Sequence, residues 1–235
     1  MVRAAMLLLM LFNAKSSWTD PSLDDYDRPL NPRGLACSKQ RSYSPQRMGM
    51  PMSTPFDAVS TYFYAKDGNR PFLMRRAFAE DVELEMVVNT AAISFPSSAR
   101  GLAAIEDVLG RRFANDMENV YTFCLSRPTE ANRLHFPCHW LVGMSAKGNG
   151  PIRVGSGRYD WYFTPDARCL VERLIITIDV MEIFPASQLD SIMGWLTALA
   201  YPWCTRDEAI RHVPGIDGMA SVKQYLNELR PILPK

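Results

Sequence analysis

Residues 152–163, IRVGSGRYDWYF, and residues 170–184, LVERLIITIDVMEIF, form the strongest strand signal in the chain, with a Pro-Asp turn between them. In the first segment one face carries Gly155, Gly157, Tyr159, Trp161 and Phe163, while the other carries Val154, Ser156, Arg158, Asp160 and Tyr162. In the second, Leu174, Ile176 and Ile178 alternate with Ile175, Thr177 and Asp179. A period of two residues is typical of a β-strand. The pair therefore predicts a β-hairpin, and with it a sheet in the C-terminal half of the chain.

The chain before this hairpin predicts helices followed by further strands. Apolar residues at helical spacing predict helices over residues 56–66, 71–79 and 102–113, and alternation predicts strands over residues 82–88, 120–125 and 134–145. The first helix begins with Thr54-Pro55-Phe56-Asp57, which supplies an N-cap, a proline in the first turn and the acid of a capping box. Helices ahead of closely connected strands predict an α+β fold, in which helices cover one face of an antiparallel sheet.

The length of 235 residues fits one domain with extensions. Residues 15–51 are polar and show no hydrophobic period, and residues 1–51 as a whole are predicted to be a flexible or irregular segment. The folded domain is predicted over residues 52–184, and helical patterns over residues 187–199, 206–212 and 218–229 predict a C-terminal helical extension over residues 185–235. Because the folded unit starts at Met52, one hypothesis is that Met52 is the natural start and the upstream segment is an over-long start.

The composition limits the kinds of partner the protein can bind and indicates its cellular compartment. The formal net charge is +1 and charged residues make up 22% of the chain, which gives no reason to expect a polyanionic partner, so nucleic-acid binding is not expected. The five cysteines are odd in number and contain no Cys-x-x-Cys pair. We therefore expect the cysteines to be reduced, partly buried thiols, which indicates a cytoplasmic location.

The N-terminus suggests secretion as an alternative to a cytoplasmic location. Residues 4–12 form an apolar run after Arg3 that resembles a short secretory signal. Phe12-Asn13-Ala14 is a poor cleavage site, however, because its first position is large where a small residue is required. The run is also far shorter than the roughly 20 apolar residues needed to cross a bilayer, so no membrane partner is expected.

Several stretches together resemble the nuclear transport factor 2-like superfamily, with its ketosteroid isomerase and polyketide cyclase (SnoaL-like) branches. The resemblance covers residues 54–184. It rests on five stretches: residues 56–64 of the first helix, the Asp67-Gly68-Asn69 break, residues 77–85 (AFAEDVELE), residues 101–105 (GLAAI) and residues 157–163 (GRYDWYF). The resemblance implies a strongly curved antiparallel sheet wrapped on three N-terminal helices, a cystatin-like cone with an apolar pocket. It also implies a homodimer joined through the outer sheet face, and members that act without a cofactor or only bind a ligand.

The resemblance also implies positions for the chemistry. In the isomerase branch a tyrosine on the first helix and an acid on a middle strand donate hydrogen bonds to a developing oxyanion, while an aspartate on the first strand moves the proton. The tyrosine position falls on Tyr62 and the middle-strand acid falls near Tyr159, which retains a phenol donor. The proton-moving aspartate falls on Met86, whose thioether has no proton to give or take. His139 or an unforeseen carboxylate would then have to serve as the base.

Other polar residues have a structural and a functional interpretation. Glu85 follows strand alternation away from the pocket and is predicted to be solvated surface. Cys138 and His139 are adjacent on a strand, so they cannot meet across one face, and a packed cysteine is favoured over a dyad. Arg158, Asp160 and Asp179 share one face, as a surface charge pattern or as a polar pocket wall. No glycine-rich phosphate loop and no ligand spacing for a metal is evident, so neither a cofactor nor a metal is expected.

These observations support three functional hypotheses. The first is a protein that binds a small apolar ligand through Tyr62, Met86, Trp140, Tyr159 and Trp161, since pockets are mostly apolar with a few polar groups. The second is a cofactor-independent isomerase, dehydratase or cyclase, with Tyr62 and Tyr159 as donors and His139 as base. The third is a protein-interaction module, which would show a large exposed apolar patch and no pocket.

Overall fold

The computed structural model describes residues 53–230 and residue 232. The predictions for residues 1–51, which include the signal-like run and the hypothesis of a start at Met52, lie outside the described residues. The division into a domain over residues 52–184 and an extension over residues 185–235 stays a prediction.

The first helix, α1, spans Pro55–Asp67 and begins as its sequence predicts. The Thr54 hydroxyl accepts a hydrogen bond from the Asp57 amide at 3.2 Å, and the Asp57 carboxylate accepts one from the Thr54 amide at 3.0 Å. This reciprocal pair satisfies two amides that helix geometry leaves without partners. The helix ends at Asp67, before Gly68, where the sequence predicted a break.

The other two N-terminal helices differ in detail from the prediction. The second is a 3₁₀ helix, Pro71–Arg76, and it is shorter than predicted because the next strand begins at Phe78, which pairs with Val171 of the last strand. The third consists of α2 (Leu102–Ile105), a π-helical segment (Glu106–Arg111) and α3 (Arg112–Asp116), which follow one another without interruption. In the order of the chain, the first two helices precede the first strand and the third lies between the second and third strands, which is consistent with an α+β fold.

The six strands form one mostly antiparallel sheet in the order β2-β1-β6-β5-β4-β3. Their bounds are β1 (Phe78–Val88), β2 (Ser98–Arg100), β3 (Met117–Cys124), β4 (His135–Ala146), β5 (Ile152–Phe163) and β6 (Val171–Phe184). The predicted antiparallel order holds except between β1 and β6, which run parallel. The short strand β2 was not predicted, since its three residues carry no readable alternation.

The hairpin of β5 and β6 has one register shift that matters for the site. Ser156 pairs with Val180, but Gly157 pairs with Ile178, so β6 carries an extra residue at this point. Such a bulge shifts the alternation of side chains in the strand that contains it. Ile178 and Met181 therefore both face the inner side of the sheet, although they are three positions apart.

The two faces of the sheet are covered by different helices. The inner face packs against α1 and the helical segment 102–116, in one hydrophobic cluster that contains Tyr62, Leu109, Tyr159 and Trp161. The outer face packs against three C-terminal helices, α4 (Leu189–Thr197), α5 (Arg206–Arg211) and α6 (Met219–Glu228). This second cluster includes Leu141, Val154, Phe184, Ile192, Leu196 and Val222. Within residues 53–230 no helix is long and apolar enough to span a membrane.

Candidate functional site

A cavity of about 60 Å³ lies on the inner face of the sheet, between α1, the helical segment 102–116 and strands β1 and β3 to β6. Most of its wall is apolar, formed by Met86, Ile93, Phe95, Leu109, Phe113, Trp140, Val142, Met144, Ile176, Ile178 and Met181. Four side chains bring polar atoms to it, namely Tyr62, Lys66, Thr122 and Tyr159. An apolar hollow with a few polar groups is the usual composition of a small-molecule site.

The two phenols come from elements that face each other across the core. Tyr62 lies on the buried stripe of α1, and Tyr159 lies on the inner face of β5. Their ring centroids are 6.3 Å apart, with the rings nearly perpendicular. Burial raises the pKa of the Tyr62 phenol, and it likewise raises the pKa of the Tyr159 phenol. Both phenols are therefore neutral hydrogen-bond donors at physiological pH.

The structure brings four of the five predicted ligand-binding residues to the cavity wall: Tyr62, Met86, Trp140 and Tyr159. Met86 faces inward from β1, at the position where the resemblance places a proton-moving aspartate. Trp161 differs, because it is fully buried behind the two phenols, with its ring 5.2 Å from that of Tyr62 and 5.0 Å from that of Tyr159. It packs against the phenols and is not part of the described cavity wall.

His139 lies on the opposite face of the sheet, so its prediction as a base in the pocket is wrong. Because side chains alternate along β4 and Trp140 faces the cavity, His139 faces the C-terminal helices. Its Nε2 donates a hydrogen bond to the Arg230 carbonyl at 3.3 Å. Burial lowers the pKa of His139, partly offset by this hydrogen bond.

The other polar residues singled out in the sequence also lie away from the cavity. Arg158 and Asp160 form an ion pair of 2.8 Å on the outer face, and the Tyr225 hydroxyl donates to Asp179 at 2.7 Å. The polar pocket wall proposed for these residues is therefore not present at the described cavity. Glu85 is half exposed and pairs with Arg173, in agreement with its prediction as surface.

Cys138 is a packed core cysteine, as favoured from the sequence. It faces inward from β4, with its Sγ 2.7 Å from that of Cys124. Burial raises the pKa of the Cys124 thiol, and a neutral thiol is a poor nucleophile. Since His139 faces the other side of the sheet, no Cys138–His139 dyad forms.

A buried polar group at the end of α1 was not predicted from the sequence. Lys66 Nζ lies 2.6 Å from Asp67 Oδ1 and 2.8 Å from Thr122 Oγ1. Asp67 also accepts hydrogen bonds from the Thr122 amide at 2.7 Å and from the Tyr201 hydroxyl at 3.1 Å. One signal was available: Lys66 follows Tyr62 by four positions, which places a charged residue on the buried stripe of the helix.

The cavity wall holds one formal charge among the described residues, that of Lys66, and neither a carboxylate nor a histidine lines it. Over the same part of the chain, no cluster of three or more histidine, cysteine, aspartate or glutamate side chains is placed to hold a metal ion. The arrangement can donate hydrogen bonds to an oxygen atom inside an apolar hollow.

Comparison with known proteins finds structural matches only. No protein-family model matches this sequence, and no curated protein matches it. Solved structures described as nuclear transport factor 2-like, ketosteroid isomerase-like and polyketide cyclase proteins match over about half of the chain, which are the branches that the sequence resembles.

Three of these structures illustrate the range. A nuclear transport factor 2-like superfamily protein from Salmonella enterica is 14% identical, covers 53% of this chain and 88% of its own, and has a TM-score of 0.42. A protein of ketosteroid isomerase-like fold from Catenulispora acidiphila, in complex with trimethylamine, is 16% identical, with coverages of 53% and 85% and a TM-score of 0.40. RV0760c from Mycobacterium tuberculosis, in complex with estradiol-17beta-hemisuccinate, is 12% identical, with coverages of 53% and 95% and a TM-score of 0.44.

Proposed function

We propose that this protein binds a small, mainly apolar, ring-containing molecule in the cavity on the inner face of its sheet. The observation that carries the proposal is the composition of the cavity wall, which is apolar except for Lys66, Thr122 and the two neutral phenols Tyr62 and Tyr159. Apolar walls supply most of the binding free energy in such sites, and a few donors orient the ligand. The strongly curved, cone-like form of the sheet is part of the same proposal, since curvature is what closes a sheet around a ligand.

A ligand with a ring requires the cavity to widen. Its volume of about 60 Å³ is well below the roughly 300–1,000 Å³ typical of ligand pockets. Three wall residues, Ile93, Phe95 and Phe113, also line a surface recess of about 220 Å³ on their other side. Ile93 and Phe95 belong to the segment between β1 and β2, which is without helix or strand. Movement of these side chains would join the cavity to the recess.

Ligand-observed NMR on the whole protein tests the proposal, with isopropylbenzene and naphthalene as apolar probes. We expect saturation transfer to both probes, and competition between them for one site. The variant Val142→Leu extends a side chain into the cavity and should weaken binding of both probes by about tenfold or more, as a well-packed wall resists added volume.

The matched control is Val154→Leu, the same change at a buried residue of the outer-face cluster. It should cost similar stability, measured as the shift in Tm, and leave binding of the probes unchanged. The proposal would be contradicted if neither probe showed saturation transfer with the wild-type protein. It would also be contradicted if Val142→Leu and Val154→Leu bound the probes equally well.

A second candidate is a cofactor-independent isomerase, dehydratase or cyclase, favoured by the pairing of two neutral phenols at one cavity. Neutral donors aimed at one oxygen stabilise the negative charge that develops on a carbonyl during enolisation or elimination. Tyr62→Phe would remove one donor and should lower kcat about 100-fold for any substrate found. Unchanged turnover in Tyr62→Phe would exclude Tyr62 from that role.

We also propose that the protein forms a homodimer and is located in the cytoplasm. Because α4 and α6 cover part of the outer sheet face, a dimer contact would use the part of that face near Tyr162 and Arg173, which these helices leave open. Sedimentation velocity should give the mass of two chains, and Arg173→Glu should weaken the association. Cell fractionation tests the location, and recovery of the protein outside the cell would contradict it.

A further inference from the structure

Lys66 is a buried cation in the cavity wall. Its side chain is 7% exposed, and the ammonium Nζ lies 4.8 Å from the centroid of Phe113, another residue of the wall. Thr122, whose hydroxyl accepts from the same ammonium at 2.8 Å, also lines the cavity. The charged end of Lys66 is therefore held between two side chains that face the hollow.

The ammonium has one hydrogen-bond donor to spare. Lys carries three N–H donors, and two of them are taken by Asp67 at 2.6 Å and Thr122 at 2.8 Å. In the described residues the other contact of Nζ is with the face of the Phe113 ring, which is a weaker acceptor than an oxygen atom. A ligand oxygen in the cavity would give the third N–H a stronger acceptor.

The charge of Lys66 is already balanced. The Asp67 side chain is 4% exposed and accepts from Lys66, the Thr122 amide, the Thr122 hydroxyl and the Tyr201 hydroxyl. A second anion beside this carboxylate would leave one negative charge uncompensated in a buried site, which is strongly unfavourable. The site therefore favours a neutral oxygen over a carboxylate.

We infer that Lys66 binds a neutral carbonyl oxygen of the ligand with its third N–H, next to the phenol donors Tyr62 and Tyr159, so that the ligand class is an apolar ketone or aldehyde. This inference rests on the proposed function, because it assigns the polar contact of the same cavity.

Three probes of similar shape separate the possibilities: acetophenone with a neutral carbonyl, isopropylbenzene with no acceptor, and benzoate with a carboxylate. The measured quantity is the preference ratio, which is the Kd of isopropylbenzene divided by the Kd of acetophenone. In Lys66→Met the ratio should fall about tenfold or more, since a hydrogen bond from a charged donor is lost while apolar contact is kept. Binding of isopropylbenzene itself should change little.

Removal of Lys66 alone leaves the Asp67 carboxylate without its cation, so the double variant Lys66→Met with Asp67→Asn provides a neutral replacement of the pair. It should show the same fall in the preference ratio. Lys223→Met, at an exposed lysine of α6 on the outer side of the sheet, is the matched control and should leave the ratio unchanged. Tm values report whether each variant folds.

A measurement on the wild-type protein avoids the variants. In protein with ¹⁵N-labelled lysine, the Nζ signal of Lys66 should shift on addition of acetophenone and stay in place with isopropylbenzene. If all probes bind but the ratio in the Lys66 variants and the Nζ signal do not change, the assignment of Lys66 is wrong while the proposed function stands. If benzoate binds more tightly than acetophenone, the preference for a neutral oxygen is wrong. If no probe binds, the proposed function fails and this inference fails with it.

Discussion

Neighbouring residues of β4 point to opposite faces of the sheet: Trp140 faces the cavity and His139 faces the C-terminal helices. The same rule sorts β5, where Tyr159 faces the cavity and Arg158 the outer side. At the scale of the residue, what a side chain can do here is decided first by its position in the alternation and only then by its chemistry.

At this scale we predict that His139 makes the fold less stable in acid. Burial and the nearby Arg158 lower its pKa below the usual 6.5, against the Arg230 carbonyl and Asp179, which act to raise it. As the pH falls through about 6.5, the unfolded chain takes up a proton that the folded chain does not, so stability is lost below that pH. The free energy of unfolding, measured in urea from pH 7.5 to 5, should fall less steeply in His139→Gln. Equal slopes in the two proteins would contradict the prediction.

A second residue-scale prediction concerns Gly157, which lies opposite the bulge of β6 and beneath Trp140. A Cβ at this position would lie 2.8 Å from Trp140 Cζ2 and would also meet the Thr177 carbonyl oxygen. Since backbone must shift to make room, Gly157→Ala should lower the free energy of unfolding by about 1–3 kcal/mol. Gly194→Ala is the control, because nothing lies within 4 Å of that Cβ in α4, and it should stabilise the protein by about 0.5–1 kcal/mol. Equal effects of the two changes, measured by urea unfolding, would be inconsistent with this packing.

At the scale of the element, α1 is the part of the fold that makes the site. Its buried stripe places Tyr62 and Lys66 one turn apart, so one helix supplies both a neutral and a charged donor to the cavity. Its last residue, Asp67, joins the helix to β3 through Thr122 and to the chain after α4 through Tyr201. The position of the donors therefore depends on how α1 is fixed at its C-terminal end.

The element α4 gives a prediction about the outer face. Leu196 is fully buried and fills the space above Gly143 of β4, so that a Cβ at 143 would lie 3.3 Å from Leu196 Cγ. Leu196→Ala should lower the free energy of unfolding by about 2–5 kcal/mol, through lost apolar burial and the cavity that remains. Leu134→Ala, at a leucine that is 56% exposed, should stay within about 0.5 kcal/mol of wild type. A loss below 1 kcal/mol for Leu196→Ala would show that α4 is loosely docked.

At the scale of the whole molecule, one sheet separates two hydrophobic clusters. The inner cluster contains the cavity, and the outer cluster consists of the other sheet face and the C-terminal helices. Because Leu141, Val154 and Phe184 of the outer face are all buried, the C-terminal helices replace solvent on that face. They are thus part of the hydrophobic core and limit the face that a second copy could use.

This arrangement predicts that residues 185–235 are required for a soluble fold. A chain that ends at residue 185 would expose the apolar outer face of β3 to β6, and exposed faces of this kind associate. The truncated chain should aggregate or bind a hydrophobic dye strongly, and should lose the cooperative thermal transition of the full chain. A monomeric truncated chain with an unchanged Tm would show that the C-terminal helices are dispensable.

The local features of the fold were predictable because they depend on neighbours in sequence. The capping box of α1, the break of the chain after that helix and the alternation of β5 are all as predicted, although the helix ends one residue later, at Asp67. The parallel pairing of β1 with β6 was not predicted, because it joins residues about 90 positions apart. The short strand β2 was not predicted either, because its three residues carry no readable alternation. For the candidate site, the family resemblance predicted Met86 and Tyr159 as pocket residues. The sequence did not reveal Lys66, Asp67 and Thr122 as one group, since Asp67 and Thr122 are 55 residues apart.

The sequence by itself determined which residues share a face and that helices precede a sheet, and its family resemblance predicted that two phenols and a methionine line a pocket. Only the tertiary structure decided which face is the inner one, since β4 and β5 carry apolar residues on both faces and both are covered by helices. The packing of helices on the two faces excluded His139 from the cavity and placed Lys66 in the cavity wall. The physical reason is that periodicity encodes the geometry of one strand or helix, whereas burial depends on what packs against it from elsewhere in the chain.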